Sequence, residues 1–434
     1  WSRAYGDTSA EEHVYSIIET ADSGYVMAGS SNDGSGSDQI FILRLNVIGD
    51  SLWSVVYGGD SAEVVRSICQ TDDGGFLAVG QTRALGSGDA YVVRLDSSGN
   101  VLWDLAYGDD GEQDASEIRP AQDGNFWIGG YTTTADSGEQ FYLLKCGQSG
   151  DTLWSRTYGT HANERAHSID ATSDGGCIIA GTRLSYTPYV VKADVSGIVE
   201  WTFDYGSVAI RHIRQTHGGG YIFVGTQPYN EHELRAFVRK LTADGDPGLT
   251  YVSNGILDVA EFVWQNPDHT FVVVGEVGGG YNCIKLSLTL QFLWGADYPG
   301  FWLRSGAVLP DGGYVLASTS YYYGNLQARV THTVPDTALS VPGHDRTPVQ
   351  FTLSSYPNPF NPSTTISFDL PQAQHVTLTL FDLNGRQMAT LADETFAAGS
   401  HAVNFDGSKL PSGIYFARLT AGDVQRTKKL LLLK

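Results

Sequence analysis

Basic side chains recur at one position of seven similar segments. When the segments are aligned on a Ser-Ile pair or its counterpart, the position before that pair holds Tyr15, Arg66, Ser116, His167, Arg211, Glu261 and Arg304. Four of these seven are basic, although the whole chain has a net charge of -21. Because a guanidinium group binds carboxylates through paired hydrogen bonds, the pattern predicts a cationic pocket for an anionic ligand such as a uronic-acid sugar.

The same residue types would also suit elimination chemistry. A lyase of acidic polysaccharides needs an arginine to neutralise a carboxylate and a histidine or tyrosine as base. Arg66, Arg211, Arg304, His167 and Tyr15 would supply these groups, but only by analogy with other propellers. No GxSxG, HExxH or phosphate-binding loop occurs. The sequence leaves enzymatic activity open and favours a binding role.

A structural alternative comes from the position three residues earlier, which holds Glu12, Glu63, Gln113, Glu164, Val208, Asp258 and Phe301. Under this alternative Glu63–Arg66 and Glu164–His167 are local ion pairs that join neighbouring repeats. The arginines and His167 would then be structural rather than ligand-binding.

Aromatic residues crowd the loops in the second half of the repeats. They are Tyr186, Tyr229, Phe301, Trp302, Tyr321, Tyr322 and Tyr323. Exposed aromatic rings stack on sugars and also serve as protein contacts. Together with Arg211 and Arg304 they are the predicted ligand-binding residues, with loop packing as the alternative.

The elements that carry these residues repeat about every 50 residues. The segment "WSRAYG" at Trp1 returns around Trp53, Trp103 and Trp154, and more weakly around Trp201, Tyr251 and Trp294. Between these segments lie short apolar or alternating runs bounded by Gly and Asp turns, which indicates four antiparallel strands per repeat. Such repeats are typical of propeller blades. We therefore predict a seven-bladed β-propeller over residues 1–333, with Trp1 to Gly6 supplying the outer strand of the last blade.

Most recurring residues have a structural explanation in this fold. One aromatic per blade at a fixed position predicts inter-blade packing, and the Asp of each "DGG" turn caps that turn locally. Calcium at these turns is a weaker alternative, and no metal or other cofactor is predicted. Cys69, Cys146, Cys177 and Cys283 lack metal-ligand spacing, so we expect buried thiols, with a disulfide between neighbouring strands as the alternative.

Two composition changes divide the chain. Residues 334–350 are rich in proline and lack periodicity, which predicts a linker. Residues 351–434 show alternating strands separated by NG, DG and SG turns, which predicts an immunoglobulin-like β-sandwich. The acidic charge argues against nucleic-acid and anionic-lipid partners. No run is long and apolar enough for a transmembrane helix.

The C-terminal segments carry a resemblance to a known family. "YPNPFNPSTTISFDLP", "VTLTLFDLNGRQMATL", "LPSGIYFARL" and "TKKLLLLK" follow one another as in the C-terminal sorting domain of the type IX secretion system. The resemblance implies a sorting signal at Tyr356, Pro357, Asn358, Pro359, Phe360, Lys428 and Lys429. It also implies the type IX machinery as partner and export to the surface of a Gram-negative bacterium or beyond, after loss of a signal peptide. A generic spacer module is the alternative.

The repeats resemble uncharacterised secreted bacterial propellers, which implies a fold and little chemistry. In a propeller the B–C and D–A loops share one face, and these loops vary most here. We therefore predict a secreted or cell-surface protein that contacts a glycan or another surface protein through that loop face. The alternatives are a polysaccharide lyase or hydrolase and a structural subunit of an extracellular assembly. Self-association would accompany the last of these.

Overall fold

The computed structural model describes most of the chain. It covers residues 1–6, 10–34, 36–84, 88–108, 111–134, 138–160, 163–183, 187–204, 206–228, 233–253, 255, 257–277, 280–298, 302–322, 325–333, 352–356, 360–370, 373–383, 385–396, 399–422 and 424–433. All regular elements in this part are β-strands. The predicted linker 334–350 lies outside it. The chain divides into two compact units, Trp1–Leu339 and Ser340–Lys434.

The first unit contains seven four-stranded antiparallel sheets, the blades, whose strands A to D are given in order from the inner to the outer strand. Blade one has β2 (Glu11–Glu19), β3 (Tyr25–Asn32), β4 (Gln39–Leu45) and β5 (Ser51–Tyr57). Blade two has β6 (Glu63–Gln70), β7 (Phe76–Thr82), β8 (Asp89–Leu95) and β9 (Val101–Tyr107). Blade three has β10 (Gln113–Pro120), β11 (Phe126–Thr134), β12 (Gly138–Cys146) and β13 (Thr152–Tyr158). Blade four has β14 (Glu164–Ala171), β15 (Cys177–Arg183), β16 (Thr187–Ala193) and β17 (Val199–Phe203).

The remaining blades follow the same order. Blade five has β18 (Ala209–Gln215), β19 (Tyr221–Pro228), β20 (Leu234–Leu241) and β21 (Pro247–Val252). Blade six has β22 (Val259–Gln265), β23 (Phe271–Val277), β24 (Gly280–Leu286) and β25 (Phe292–Tyr298). Blade seven has β26 (Trp302–Val308), β27 (Tyr314–Tyr322), β28 (Asn325–His332) and β1 (Ser2–Tyr5).

The N-terminal segment closes the ring, as predicted. Strand β1 pairs antiparallel with β28, with Ser2 opposite Thr331 and Tyr5 opposite Ala328. The N-terminal ammonium of Trp1 donates to the carbonyl of His332 at 3.0 Å. The outer strand of the last blade therefore comes from the opposite end of the repeat array, which joins blade seven to the start of the chain.

The repeated tryptophan packs between blades. The Trp53 ring lies so close to Gly99 in the next blade that a Cβ atom there would come within 2.8 Å of it. Gly99 has a φ of 86°, and Trp53 also donates to the carbonyl of Ser97 at 3.2 Å. Four other pairs repeat the contact: Trp1–Gly49, Trp103–Gly150, Trp154–Gly197 and Trp201–Gly245. These contacts confirm the prediction of inter-blade packing.

The aspartates of the turns form their hydrogen bonds and salt bridges with residues of the same blade. Asp73 accepts hydrogen bonds from the hydroxyl of Thr71 at 2.6 Å and from the amide of Gly75 at 3.1 Å, as predicted for a local cap. It also forms a salt bridge at 2.6 Å with Arg94, a buried residue of β8. Lys145–Asp123, Lys192–Asp174 and Lys285–Asp268 repeat this pair. A calcium ion at these turns would have to displace the basic side chain.

All four cysteines are free and buried, which agrees with the prediction of buried thiols and not with the disulfide alternative. Burial raises the pKa of the Cys69 thiol to about 12 and that of Cys283 to about 12. These thiols therefore pack as small apolar groups.

The second unit is a sandwich of two antiparallel sheets. One sheet has β29 (Thr352–Tyr356), β30 (Ser363–Leu370) and β33 (Gly399–Asp406), in that order. The other has β32 (Gln387–Phe396), β31 (Gln374–Phe381), β34 (Gly413–Ala421) and β35 (Val424–Leu432). Alternate residues such as Ile366, Phe368, Leu378 and Leu380 form one buried core between the sheets. The immunoglobulin-like assignment stays a prediction.

Candidate functional site

A β-bulge occurs in the inner strand of every blade. In β6, for example, the register with β7 shifts between Val65 and Ser67, so that Arg66 is left out of the ladder. The residues at this position in the seven blades are Tyr15, Arg66, Ser116, His167, Arg211, Glu261 and Arg304. They are the seven residues that the sequence alignment selected. A bulge re-aims one side chain, here into the central channel.

The residue after each bulge joins neighbouring blades. The amide of Ile68 donates to Ser16 Oγ at 3.3 Å, and the amide of Ile118 donates to Ser67 Oγ at 3.3 Å. Four further bonds of this kind are Ile169 to Glu117 Oε2, Ile213 to Ser168 Oγ, Val263 to His212 Nδ1 and Ile17 to Ser305 Oγ. At the seventh junction, between blades six and seven, Phe262 stands in this position and its side chain has no acceptor.

The channel contains a cavity of about 560 Å³. All seven bulge residues line it, together with Tyr131, Glu276 and Tyr281 from the ends of strands B and C that adjoin the B–C loops. Six arginines and four carboxylates face it: Arg66, Arg119, Arg165, Arg211, Arg214 and Arg304, with Asp114, Glu117, Glu261 and Glu276. Arginines therefore outnumber carboxylates in the cavity lining of a strongly acidic protein; the predicted anionic ligand stays a prediction.

The two local ion pairs proposed as an alternative do not form. Arg66 instead bonds through Nε to Asp114 Oδ2 of the next blade at 2.9 Å. Glu63 accepts from the amide of Gly59 at 3.1 Å, and Glu164 accepts from the amide of Thr160 at 2.9 Å. These buried glutamates hold the loops that enter blades two and four. The alternative is therefore wrong in its partners, although Arg66 does join two blades.

Arg211 and Arg304 are exposed at the cavity and make no hydrogen bond or salt bridge to any residue that the structure describes. Glu261 lies within electrostatic reach of both. Burial raises the pKa of Glu261, and the two arginines act in the opposite direction. These two guanidinium groups are available to a ligand because none of the carboxylates that the structure describes forms a salt bridge with them.

His167 is half-buried in the cavity wall. Burial, then the charges of Arg211 and Arg165, lower its pKa to about 4. The imidazole is therefore neutral at pH 7 and offers one acceptor nitrogen. A neutral imidazole among arginines has the protonation state that a base requires.

Charged residues in a more buried layer of the channel pair with one another. Glu117 accepts from Arg214 Nη2 at 2.7 Å and from the hydroxyl of Ser168 at 2.9 Å, and it also pairs with Arg119. Burial raises the pKa of Asp170 to about 6, while Arg119 acts to lower it. These residues satisfy one another, so their role is to join blades three, four and five.

An aromatic wall borders the cavity on blade six. Phe262 and Trp264 lie on the same face of β22, with ring centroids 5.8 Å apart and planes 12° from parallel. His212 packs edge-on against Phe262 at 5.3 Å. Both rings line the cavity. The sequence pattern did not indicate this pair, because Phe262 and Trp264 lie in a strand and the predicted aromatic residues lie in loops. The available signal was Phe262 at a position that holds Ser in four blades.

The side chains of the predicted loop aromatics all lie outside the part of the chain that the structure describes. Tyr186, Tyr229, Phe301 and Tyr323 lie outside the described residues. Trp302, Tyr321 and Tyr322 belong to strands β26 and β27, but their side chains are likewise outside it. The loop-face contact therefore stays a prediction. No cluster of three or more His, Cys, Asp or Glu side chains that could hold a metal occurs among the described residues.

The C-terminal unit places part of the predicted sorting signal against the last strand. Phe360 is buried and forms a parallel bridge to Leu432. Lys428 and Lys429 lie on β35, half-buried and exposed respectively. Pro357, Asn358 and Pro359, and the side chain of Tyr356, lie outside the described residues.

Residues 354–433 match the family model of the secretion system C-terminal sorting domain. They form a type IX secretion C-terminal sorting domain. This sorting domain indicates export, with the cell surface or the medium as destination, and it implies interaction with the type IX secretion machinery. Among the described residues, no helix has the length and apolar character that a membrane span requires.

Solved structures resemble the propeller in fold alone. A protein from Lactobacillus plantarum is 11% identical, with a TM-score of 0.51, covering 71% of this chain and 96% of that chain. Sqt1 from Chaetomium thermophilum is 10% identical, with a TM-score of 0.46, covering 75% of this chain and 96% of that chain. No curated protein matches the sequence.

Proposed function

We propose that this secreted propeller binds an anionic ligand in the mouth of its central channel. The observation that carries the proposal is the pair Arg211 and Arg304, two exposed guanidinium groups without a salt bridge to a described residue. In a chain of net charge -21, carboxylates outnumber basic groups, yet neither of these two guanidinium groups forms a salt bridge with a carboxylate among the described residues. A ligand carboxylate, sulfate or phosphate would satisfy them by charge-assisted hydrogen bonds.

The dimensions and position of the cavity support a ligand site. Its volume of about 560 Å³ falls within the roughly 300–1,000 Å³ that small-molecule sites occupy. The bulges hold the bulge residues on rigid strands, and Tyr131, Glu276 and Tyr281, near the ends of strands that adjoin B–C loops, line the same cavity. Rigid placement lowers the entropic cost of ligand binding.

The test is a titration of the full chain with labelled polygalacturonate and, as a neutral comparison, labelled dextran. We expect the anionic polymer to bind and the neutral one to show no binding. The double variant Arg211→Gln/Arg304→Gln should abolish binding. Arg156→Gln, which changes an exposed arginine on the outer strand β13, is the matched control and should bind normally. Equal binding of dextran, or full binding by the double variant, would refute the proposal.

Elimination on such a glycan is a second candidate function, favoured by the neutral His167 beside Arg211. The arginine would stabilise the carboxylate while His167 accepts the proton on the adjacent carbon, and the glycosidic oxygen leaves with a proton from a second donor such as the Tyr15 hydroxyl. The ultraviolet absorbance of an unsaturated product measures this reaction. Product formation that persists in His167→Gln would reject His167 as the base.

The remaining predicted roles have less support from the described residues. Contact with a glycan or another surface protein through the loop face depends on aromatic side chains outside them. A structural role in an extracellular assembly, with self-association, likewise stays a prediction. Neither role requires the two unsatisfied arginines, so the titration above distinguishes them from channel binding.

A further inference from the structure

Beside its two arginines, the channel mouth has two features that a simple anion would not need. Beside Arg211 and Arg304 stands Glu261, a carboxylate without a hydrogen bond or salt bridge to any described residue. On the same strand, Phe262 and Trp264 present stacked rings to the cavity. Together they surround one space with cations, an acceptor and a flat apolar surface.

Glu261 restricts which anions bind. Glu261 interacts electrostatically with both arginines. Its negative charge therefore repels a small anion that approaches the same guanidinium groups. A half-buried carboxylate also lacks part of its hydration, so it favours a ligand that donates hydrogen bonds. Hydroxyl groups next to the anionic group of the ligand would meet this requirement.

The aromatic wall adds a requirement for a flat apolar face. Phe262 stands where a Ser, Glu or His side chain joins the other blades, so the junction between blades six and seven lacks this inter-blade hydrogen bond. Opposite it stands Gly306, which lines the cavity and lies close to Trp264: a Cβ atom at Gly306 would come within 3.0 Å of that ring. Loss of the polar link exposes ring surface to the cavity, where a ligand ring can stack.

We infer that the ligand of this site is an acidic sugar residue of the uronate type, bound through three separate groups. Its carboxylate contacts Arg211 and Arg304, its hydroxyl groups donate to Glu261, and the C–H face of its ring stacks on Phe262. The inference rests on the proposed function and specifies its ligand class. It assigns Phe262 and Glu261 as specificity-determining residues beside the two arginines.

The test is calorimetric titration of the full chain with trimers of galacturonate, glucuronate, mannuronate and guluronate. The same trimers with each carboxyl reduced to an alcohol provide the neutral comparison. Inorganic phosphate and acetate are titrated separately and as competitors. We expect at least one acidic trimer to bind, its reduced form to bind at least about tenfold more weakly, and neither small anion to displace it at equal concentration.

Variants separate the three contacts. Phe262→Leu should weaken binding of the trimer by about two- to tenfold, and Phe262→Tyr should restore it because the ring is retained. Glu261→Gln should strengthen phosphate binding by removing the repulsive charge. Phe292→Leu, at an exposed phenylalanine on β25, is the matched control. Thermal unfolding midpoints check that each variant is folded.

The outcomes distinguish this inference from the proposed function. If phosphate or acetate displaces the trimer at equal concentration, or if Phe262→Leu binds as well as the parent, the acidic-sugar inference fails. Anion binding that still depends on Arg304 would leave the proposed function intact. If none of the anions binds, or if Arg304→Gln changes nothing, both fail.

Discussion

Phe360 is hydrogen-bonded to the final strand on both sides of Leu432. Its amide donates to the carbonyl of Leu431 at 2.9 Å, and the amide of Leu433 donates to the Phe360 carbonyl at 2.9 Å. The start of the sorting domain therefore fixes its last strand. The two ends of the predicted sorting signal, which are far apart in sequence, form one piece of structure.

Phe360→Ala should destabilise the sorting domain by about 3–5 kcal/mol, because it empties a buried site and loosens β35. Hydrogen exchange should accelerate across residues 424–433 and remain unchanged in the blades. Export by a type IX secretion system should fall with it. Leu433→Ala, at a side chain that is 50% exposed, should leave both unchanged. Normal export of Phe360→Ala would show that sorting does not require the contact between Phe360 and β35.

Glu117→Ala should cost about 3–5 kcal/mol of unfolding free energy, because it leaves Arg214 without its carboxylate partner and Arg119 with only Asp170, 3.8 Å away. Glu139→Ala removes an ion pair with Arg165, an exposed arginine at the cavity, and should cost about 0–1 kcal/mol. Chemical denaturation measures both. Similar losses in the two variants would show that the charge layer does not stabilise the propeller.

Gly99→Ala and Gly175→Ala isolate the contribution of the inter-blade tryptophan contact. Both glycines have a φ of 86°, so each substitution costs about 1–2 kcal/mol in backbone strain. Only Gly99 faces a ring, that of Trp53; a Cβ atom on Gly175 would meet nothing within 4 Å. Gly99→Ala should therefore lose about 1–3 kcal/mol more. Equal melting temperatures would contradict the packing role of Trp53.

His167 should make the propeller less stable in mild acid. Its pKa is lowered from 6.5 to about 4 in the folded state, so the unfolded chain takes up a proton first as pH falls. The stability from neutral His167 is complete above pH 6.5 and is lost as pH falls through about 4. His167→Gln should reduce this loss by about 1–2 kcal/mol. Urea titrations at pH 7 and pH 4.5 measure the unfolding free energy of the parent and the variant. If the loss between the two pH values is the same in both, His167 is not its cause.

The repeats themselves predicted most of the fold. Blade number, strand order and the closing role of Trp1 to Gly6 follow from spacing and turn residues, because strand alternation and glycine turns are local properties. The sorting domain was predicted differently, from the resemblance of its successive short segments to a known family. The position of the bulge residues also followed from alignment, since every blade repeats the same backbone.

Partners across the channel were not predictable from local spacing. Glu63 stands three residues before Arg66 and was its expected partner, but the bulge turns Arg66 toward Asp114 in the next blade. Glu63 instead turns inward to its own loop. The aromatic wall was missed because Phe262 and Trp264 read in sequence as ordinary strand residues; only the cavity distinguishes them from core.

The sequence by itself determined a seven-bladed propeller followed by a β-sandwich, because local periodicity and short turns specify each strand; the resemblance of the C-terminal segments to a known family identified the sandwich as a type IX sorting domain. Only the tertiary structure decided which cations stay unsatisfied. Arg66 finds a carboxylate in the neighbouring blade, whereas Arg211 and Arg304 find none among the described residues. That difference depends on how inner strands from distant repeats converge on one axis, and no single repeat contains it.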